Sequence, residues 1–121
     1  MPESDVLSAA IGHIKYKVDS MDRTLEHLLL VNRNQIMTEV LDRFNSDPFL
    51  VKIYKTIDGI KTQKEIAANI GVSEATVSKR LRILLDLDLI EIVSSTPEGK
   101  VYQYTKMERL FKISRELDKL E

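Results

Sequence analysis

Residues 62–90, TQKEIAANIGVSEATVSKRLRILLDLDLI, decide the fold of this 121-residue chain. They open with Thr62-Gln63-Lys64-Glu65, the spacing of a capping box, in which the threonine and glutamate side chains satisfy free backbone amides at a helix start. Gly71 is expected to end this short helix, because glycine readily adopts a left-handed backbone conformation. Ser73 is expected to cap a second helix from Glu74 to about Leu85. Two helices joined by so short a turn form a helix-turn-helix.

The second of these helices has two different faces. If Val77, Leu81 and Leu84 point to the core, the opposite face carries Ala75, Lys79, Arg82 and Asp86, flanked by Thr76 and Ser78. Small and hydroxyl residues near a helix start, followed by cations, suit a helix that enters the DNA major groove. An ordinary solvated amphipathic helix is the alternative. The chain has a net charge of −1, yet residues 61–83 contain five Lys/Arg and two Glu, so any nucleic-acid surface must be local.

A hairpin is predicted directly after this helix. Residues 89–93 form an apolar-rich strand, residues 96–100 a turn cluster, and residues 101–105 an alternating strand. A hairpin in this position is a wing, with Lys100 at its tip. Tyr102 and Tyr104 share one face of the second strand and suit either a ligand pocket or packing against a terminal helix.

The N-terminal region predicts a long helix with a heptad repeat. Seven apolar residues recur at alternating spacings of four and three, and a polar residue of the kind that fixes register follows. We call this set the arm seam: Leu7, Ile11, Ile14, Val18, Met21, Leu25, Leu28 and Asn32. The seam predicts pairing with a second chain, although a stripe that packs on its own domain is the alternative. Whether the helix continues past Asn32 is left open.

The expected architecture is therefore mainly α. It consists of a helical dimerisation arm over residues 1–46, a winged helix-turn-helix with a two-stranded wing over residues 47–106, and a C-terminal helix over residues 107–121. Within the middle segment, Asp47 is expected to cap a helix that begins at Pro48.

The residues from Ile70 to Leu81, followed by Leu89-Ile90, resemble the winged helix-turn-helix regulators of the ArsR and MarR type. The resemblance covers roughly residues 47–106, and the long N-terminal helix is similar to that of small archaeal-type winged-helix proteins. It implies a homodimeric transcription factor with residues 74–85 in the major groove and DNA contacts from Ser73, Thr76, Ser78, Lys79 and Arg82. Metal-sensing members carry paired cysteines, and this chain has none.

The predicted function is a homodimeric, sequence-specific regulator of transcription that binds double-stranded DNA. Two recognition helices about 34 Å apart would each read a half-site of an inverted repeat. Lys61, Lys64, Arg80 and Lys100 are assigned mainly to phosphates, and Ser73, Thr76, Ser78, Lys79 and Arg82 to bases. The alternatives are a protein-interaction module that uses the arm, and a DNA-organising protein with little sequence preference.

Other classes of function find little support in the sequence. Because cysteine is absent, thiolate metal sites and cysteine nucleophiles are excluded. The longest apolar run, residues 28–31, is far short of a membrane span. No catalytic motif, metal site or cofactor site is recognised. A non-enzymatic cytoplasmic protein is expected, and the sequence identifies no small-molecule effector.

Overall fold

A computed structural model describes the backbone of residues 3–120, together with the side chains of residues 9, 10, 12, 13, 16, 17 and 19–120. The chain divides into two compact units, of which the first ends at Ile36 and the second begins at Met37. The described elements are α1 (Glu3–Val31), α2 (Arg33–Asn45), α3 (Pro48–Thr56), α4 (Gln63–Ile70), α5 (Glu74–Asp86), β1 (Ile90–Thr96), β2 (Gly99–Tyr104), α6 (Lys106–Phe111) and α7 (Ile113–Asp118). This mainly helical order with a two-stranded antiparallel sheet after α5 confirms the winged-helix fold class.

The first unit consists of α1 and the start of α2, with Asn32 between the two helices. The backbone amide and the side-chain amide of Asn32 both donate to the Leu28 carbonyl, at 3.1 and 2.8 Å. The Ile36 amide donates in turn to the Asn32 carbonyl at 3.1 Å. The interruption is thus limited to one residue, since hydrogen bonds of helical spacing continue on either side of it.

The described part of the arm seam is exposed. The side chains of Met21, Leu25 and Leu28 are 70%, 50% and 53% exposed, and Asn32 is exposed beside them. The remaining seam members, Leu7, Ile11, Ile14 and Val18, lie outside the residues whose side chains the structure describes. The apolar stripe of residues 21–28 is therefore left uncovered in the single chain.

The helix starts in the second unit follow the predicted local signals. Asp47 accepts a hydrogen bond from the Leu50 amide at 3.3 Å, with Pro48 at the first helical position. Thr62 and Glu65 form the complete capping box at the start of α4. Gly71 ends α4 with a φ of +81°, and Ser73 accepts from the Thr76 amide at 3.1 Å to begin α5. The predicted helix-turn-helix is confirmed.

The wing is an antiparallel hairpin fixed to the start of α4. Ile92 pairs with Tyr102, and a bulge at Val93 shifts the register before Ser94 pairs with Val101. Val101 also forms a β-bridge with Thr62, the cap of α4. The wing is therefore held against the helix that precedes the helix-turn-helix turn.

The core of the second unit draws on more of the chain than residues 47–106. Met37, Val40 and Phe44 of α2 are buried, and the Phe44 ring lies 5.4 Å from the Tyr54 ring in an edge-on contact. The division between the units consequently falls at Ile36/Met37, earlier than the boundary predicted after Ser46.

The C-terminal segment differs from the single helix predicted for residues 107–121. It forms α6 and α7, separated by Lys112 in a left-handed conformation with φ of +52°. Phe111 and Ile113 are both fully buried. Residues two apart are separated by about 160° around a continuous helix, so a single apolar face would not hold both. The Glu108 carboxylate stabilises the break by accepting from the Ser114 amide at 3.0 and 3.1 Å.

The two wing tyrosines have different surroundings. The Tyr104 hydroxyl donates to the Tyr54 carbonyl at 2.7 Å, and their rings lie 4.8 Å apart. Tyr54 is fully buried and donates its own hydroxyl to Glu108 at 3.1 Å. Burial, reinforced by the Glu108 charge, raises the pKa of Tyr54 far above its ordinary value. Tyr104 is therefore used for packing. The ring it contacts is that of Tyr54 in α3, whereas the sequence predicted a terminal helix as the packing partner.

Candidate nucleic-acid interface

A groove of about 610 Å³ lies between α4, α5 and the wing. We call it the α5–wing groove. It is lined by Gln63 and Lys64 of α4, by Glu74, Ser78, Lys79, Leu81, Arg82 and Leu85 of α5, and by Ile92, Glu98, Gly99, Lys100 and Tyr102 of the wing or its turn. Five residues predicted to bind DNA, namely Lys64, Ser78, Lys79, Arg82 and Lys100, are thereby brought to one concave surface.

The polar face of α5 forms one wall of this groove. Val77 and Leu84 are fully buried, and they fix the rotation of the helix about its axis. Ser78, Lys79 and Arg82 then lie on the exposed side. Because their orientation follows from the buried stripe, these side chains are presented by a rigid element rather than by a loop.

The other wall is set by the attachment of the wing to α4. Gly99 adopts a φ of +135°, and a Cβ atom on it would lie 3.6 Å from the Thr62 Cβ. A side chain at this position would therefore be strained by the backbone conformation. The side-chain amide of Gln63 donates to the backbone carbonyl of Glu74 at 3.3 Å, and this hydrogen bond joins the start of α4 to the start of α5. Lys64 and Lys100 are exposed on these elements.

The groove is electropositive but contains carboxylates. Its lining holds four cations, Lys64, Lys79, Arg82 and Lys100, against Glu74 and Glu98, which gives a local net charge of +2. Arg82 Nε lies 3.8 Å from Asp86 Oδ1, and both side chains are largely exposed. Such an exposed pair is weak, so Asp86 leaves the Arg82 guanidinium available to an anion.

Lys61 lies outside the groove lining and has an acidic partner. Its ammonium group bonds the Asp58 carboxylate, which also accepts from the backbone amides of Ile60 and Lys61 at 2.9 Å each. The hydrogen bond from the Lys61 side chain, followed by these amides, lowers the pKa of Asp58 to about 2. The charge of Lys61 is therefore largely balanced within the loop before α4.

Arg80 is also directed away from the groove. Its Nε lies 3.0 Å from Asp47 Oδ2, and its Nη1 donates to the Thr76 carbonyl at 3.2 Å. The guanidinium carbon is 5.6 Å from the centre of the Phe49 ring. Since Asp47 caps α3, this contact joins α5 to the start of α3, on a different side of α5 from Lys79.

Ser73 and Thr76 lie at the start of α5 but do not line the groove. Their hydroxyl oxygens are 2.8 Å apart, and Ser73 Oγ accepts the Thr76 amide. Ser73 is exposed and Thr76 is half-buried. Their hydroxyls are thus engaged in capping, and their predicted DNA contacts remain predictions.

The sequence did not single out several residues of the groove. The sequence predicts Gln63 and Glu74 only as residues at helix starts. In the structure they contact each other and both line the groove. Ile92 and Tyr102 form a cross-strand pair on the groove side of the wing. The alternation of the second strand was visible, but the pairing that brings Tyr102 beside Ile92 depends on the bulge at Val93.

Neither a membrane-spanning helix nor a metal-binding cluster occurs among the described residues. None of the helices there is both long and apolar enough to cross a bilayer. No group of three or more His, Cys, Asp or Glu among those residues could hold a metal ion.

Comparison with known proteins agrees with this geometry. Residues 53–91 match the family model for winged helix-turn-helix DNA-binding domains. The matched region includes α4, the turn and α5. No curated protein and no solved structure gives a significant match. The family match indicates a DNA-binding winged-helix domain and supports double-stranded DNA as its partner.

Proposed function

We propose that this chain is a homodimeric regulator of transcription that binds double-stranded DNA sequence-specifically through the α5–wing groove. One observation carries the proposal: Ser78, Lys79 and Arg82 on the exposed face of α5 share a concave surface with Lys64 and Lys100. A helix of 13 residues with short side chains near its start and cations beyond fits the major groove.

The groove residues divide by the DNA groups within their reach. Lys79 and Arg82 on α5 are positioned for guanine edges or for phosphates, and Ser78 adds a hydroxyl. Lys64 and Lys100 line the wall of the groove opposite α5 and serve phosphates. The carboxylates of Glu74 and Glu98 repel DNA phosphates, so the net electrostatic attraction between the groove and DNA is modest. Contacts to base edges therefore contribute more to the choice of DNA sequence.

The homodimer is supported by the exposed stripe of α1. Met21, Leu25 and Leu28 offer a stripe of apolar side chains at heptad spacing, which a second copy of the same helix fits. In the dimer, two α5 helices about 34 Å apart contact successive major grooves on one side of the duplex. The expected site is an inverted repeat.

Several finer features belong to the same proposal. The regulator is of the ArsR or MarR type in its helix-turn-helix, with an archaeal-type arm in place of a short N-terminal helix. It acts in the cytoplasm, without catalysis, and without thiolate metal sensing because cysteine is absent.

The test is fluorescence anisotropy with mixed-sequence duplex DNA at about 50 and 200 mM salt. If the four groove cations of one domain each neutralise a phosphate, affinity per domain falls about 100-fold between these concentrations. Lys79→Glu with Arg82→Glu should abolish binding. The matched control is Lys112→Glu with Arg115→Glu, which makes the same charge change at residues outside the groove lining and should retain most of the affinity.

The outcomes separate the proposal from its rivals. Loss of binding in the groove variant alone supports DNA recognition by α5, and selection of a preferred sequence then tests specificity. Binding that persists in the groove variant overturns the assigned interface. Wild-type protein that fails to bind even at low salt identifies the winged helix as a protein-interaction scaffold. The near-neutral net charge and the acidic residues Asp86, Asp88 and Glu98 favour that class. A footprint that grows with protein concentration without a preferred site identifies a DNA-organising protein.

A further inference from the structure

The exposed apolar stripe of α1 is continued by a polar residue, Asn32, directly after the helix ends. In heptad terms, Met21 and Leu28 occupy d positions, whereas Leu25 and Asn32 occupy a positions. All four side chains are exposed in the single chain. A partner helix that covers this stripe must therefore accommodate an amide at one end of it.

We infer that two copies of α1 pair in parallel and in register, with Asn32 facing Asn32 of the second copy. The inference rests on the proposed homodimer and adds its orientation. In a parallel pair each a position faces the same a position, so two amides meet. Asn32 already donates one hydrogen bond to the Leu28 carbonyl at 2.8 Å. A side-chain amide offers two donor hydrogens and an acceptor oxygen, which leaves capacity for a bond across the pair.

The antiparallel arrangement lacks this match. With the seams fully overlapped, Asn32 would lie opposite the heptad position of Leu7 in the other chain. An amide set against an apolar position loses hydrogen bonds to water without gaining a polar partner. A single Asn at an a position is also the device by which coiled coils select one register and strand number.

The charged residues that flank the stripe form a different ion pair in each register. Lys17 occupies a g position and Asp22 the e position five residues later, and both are exposed. In a parallel pair, g of one helix faces e of the other at this spacing, so Lys17 meets Asp22 of the second copy twice per dimer. In the antiparallel register that overlaps the seams, Lys17 faces the neutral Thr24, and Asp22 faces the heptad position of Lys15 instead. The two registers are therefore distinguished by which lysine position meets Asp22.

The orientation has a direct consequence for the arrangement of the dimer. The chain leaves α1 at Val31 and continues into α2 at Arg33. In a parallel pair both chains make this transition at the same end of the coil. Both winged-helix domains are then connected to the same end of the coil.

The absence of cysteine allows the orientation to be tested by disulfide formation. Leu28→Cys, which keeps Asn32, places two thiols in one layer of a parallel dimer, within reach of a disulfide. In the antiparallel dimer the two thiols are 17 positions apart along the seam, about 26 Å at 1.5 Å per residue. We expect mild oxidation to convert most of the variant to covalent dimer. Arg23→Cys, at an outward f position, is the matched control and should stay monomeric on a non-reducing gel.

A mixture of the Ile11→Cys and Leu28→Cys chains provides the opposite readout. It yields a mixed disulfide only if the helices are antiparallel, and that result would overturn the inference. A dimer in sedimentation that forms neither disulfide would overturn it too. A monomer in sedimentation would instead overturn the proposed homodimer, so the two failures are distinguishable.

A charge exchange tests the register without new thiols. Lys17→Glu should weaken dimerisation about fivefold at low salt, because it sets two carboxylates together twice per dimer. Adding Asp22→Lys should restore the wild-type dissociation constant. If Lys17→Glu has no effect and the double variant is weaker than wild type, the parallel register is wrong.

Discussion

The helices α1 and α5 are both amphipathic, but the apolar side of α5 is buried whereas the described apolar side of α1 is exposed. In α5, Val77 and Leu84 are fully buried, whereas Met21 and Leu28 of α1 are at least half exposed. The apolar side of α5 is satisfied inside its own unit, which leaves its polar side for a ligand. The apolar side of α1 is not covered within the described chain, so that side is itself the surface available for a partner.

This contrast has a physical basis in length and composition. The 29 residues of α1 hold a narrow stripe at a period of 3.5 residues, whereas the 13 residues of α5 lie between α3, α4 and the wing. A narrow stripe fits one partner helix, because each apolar side chain inserts between four residues of the facing helix. A short helix needs contacts on several sides to be stable, since isolated helices of that length are marginal in water.

The largest expected effect comes from placing charges in the arm seam. Ile14→Lys with Leu25→Lys should weaken dimerisation by more than 1000-fold, about 4 kcal/mol, because charges would be buried in the seam of both copies. Sedimentation should then show a monomer whose second unit melts at the wild-type temperature. Tyr16→Lys with Leu30→Lys, at outward heptad positions, should leave the dimer intact. A dimer that survives the seam change would locate the interface in the winged-helix domain or the C-terminal helices.

The next largest effect comes from removing a buried side chain of α5. Leu84→Ala should lower the free energy of unfolding of the second unit by about 3 kcal/mol, through lost burial and the cavity that remains. Urea denaturation followed by tyrosine fluorescence measures this change. In the monomeric arm variant, Leu28→Ala should change the same free energy by less than about 0.5 kcal/mol. Equal effects would mean that the two stripes are not used differently.

A smaller effect tests whether Arg80 and Lys79, on different sides of α5, serve stability and DNA binding respectively. Arg80→Gln should lower the free energy of unfolding by about 1.5 kcal/mol, because it removes the link to Asp47 and the α3 cap. Its DNA affinity, measured by anisotropy well below the melting temperature, should stay within about twofold of wild type. Lys79→Gln should show the reverse, with wild-type stability and affinity reduced about tenfold. A loss of affinity in Arg80→Gln as large as in Lys79→Gln would return Arg80 to the DNA surface.

The smallest effect concerns the start of α5. Ser73→Ala should destabilise the second unit by about 1 kcal/mol, since the Thr76 amide loses its capping partner. Ser73→Asp should recover most of this stability, because a carboxylate also caps and favours the positive end of the helix dipole. Thermal melts compare the three proteins. If Ser73→Ala leaves the melting temperature unchanged but weakens DNA binding, the hydroxyl contacts DNA rather than capping the helix.

The parts of the fold that the sequence predicted correctly depend on local signals. The capping box at Thr62, the serine cap at Ser73 and the Asp47-Pro48 start each involve residues within four positions of one another. The break at Lys112 was missed because it depends on burying both Phe111 and Ile113 against distant parts of the chain. Their spacing of two residues, which does not suit one helical face, was the available signal.

The site was predicted in part for the same reason. The exposed face of α5 follows from helical periodicity, and Lys79, Ser78 and Arg82 do line the groove. Arg80 is the neighbour of Lys79 in sequence, but it lies 100° around the helix, toward Asp47. Which cation has an acidic partner depends on the packing of α3, and helical periodicity alone does not contain that information.

Through the Glu108 carboxylate, the short C-terminal segment contributes to the stability of the second unit. This carboxylate receives the buried Tyr54 hydroxyl and the Ser114 amide, and thus joins α3 to the last helix. A fragment cut to residues 53–91, the region of family resemblance, would lose this acceptor together with Phe111 and Leu117. We therefore expect the smallest autonomously folding, protease-resistant fragment to extend from about residue 37 to residue 118, twice the length of the recognisable motif.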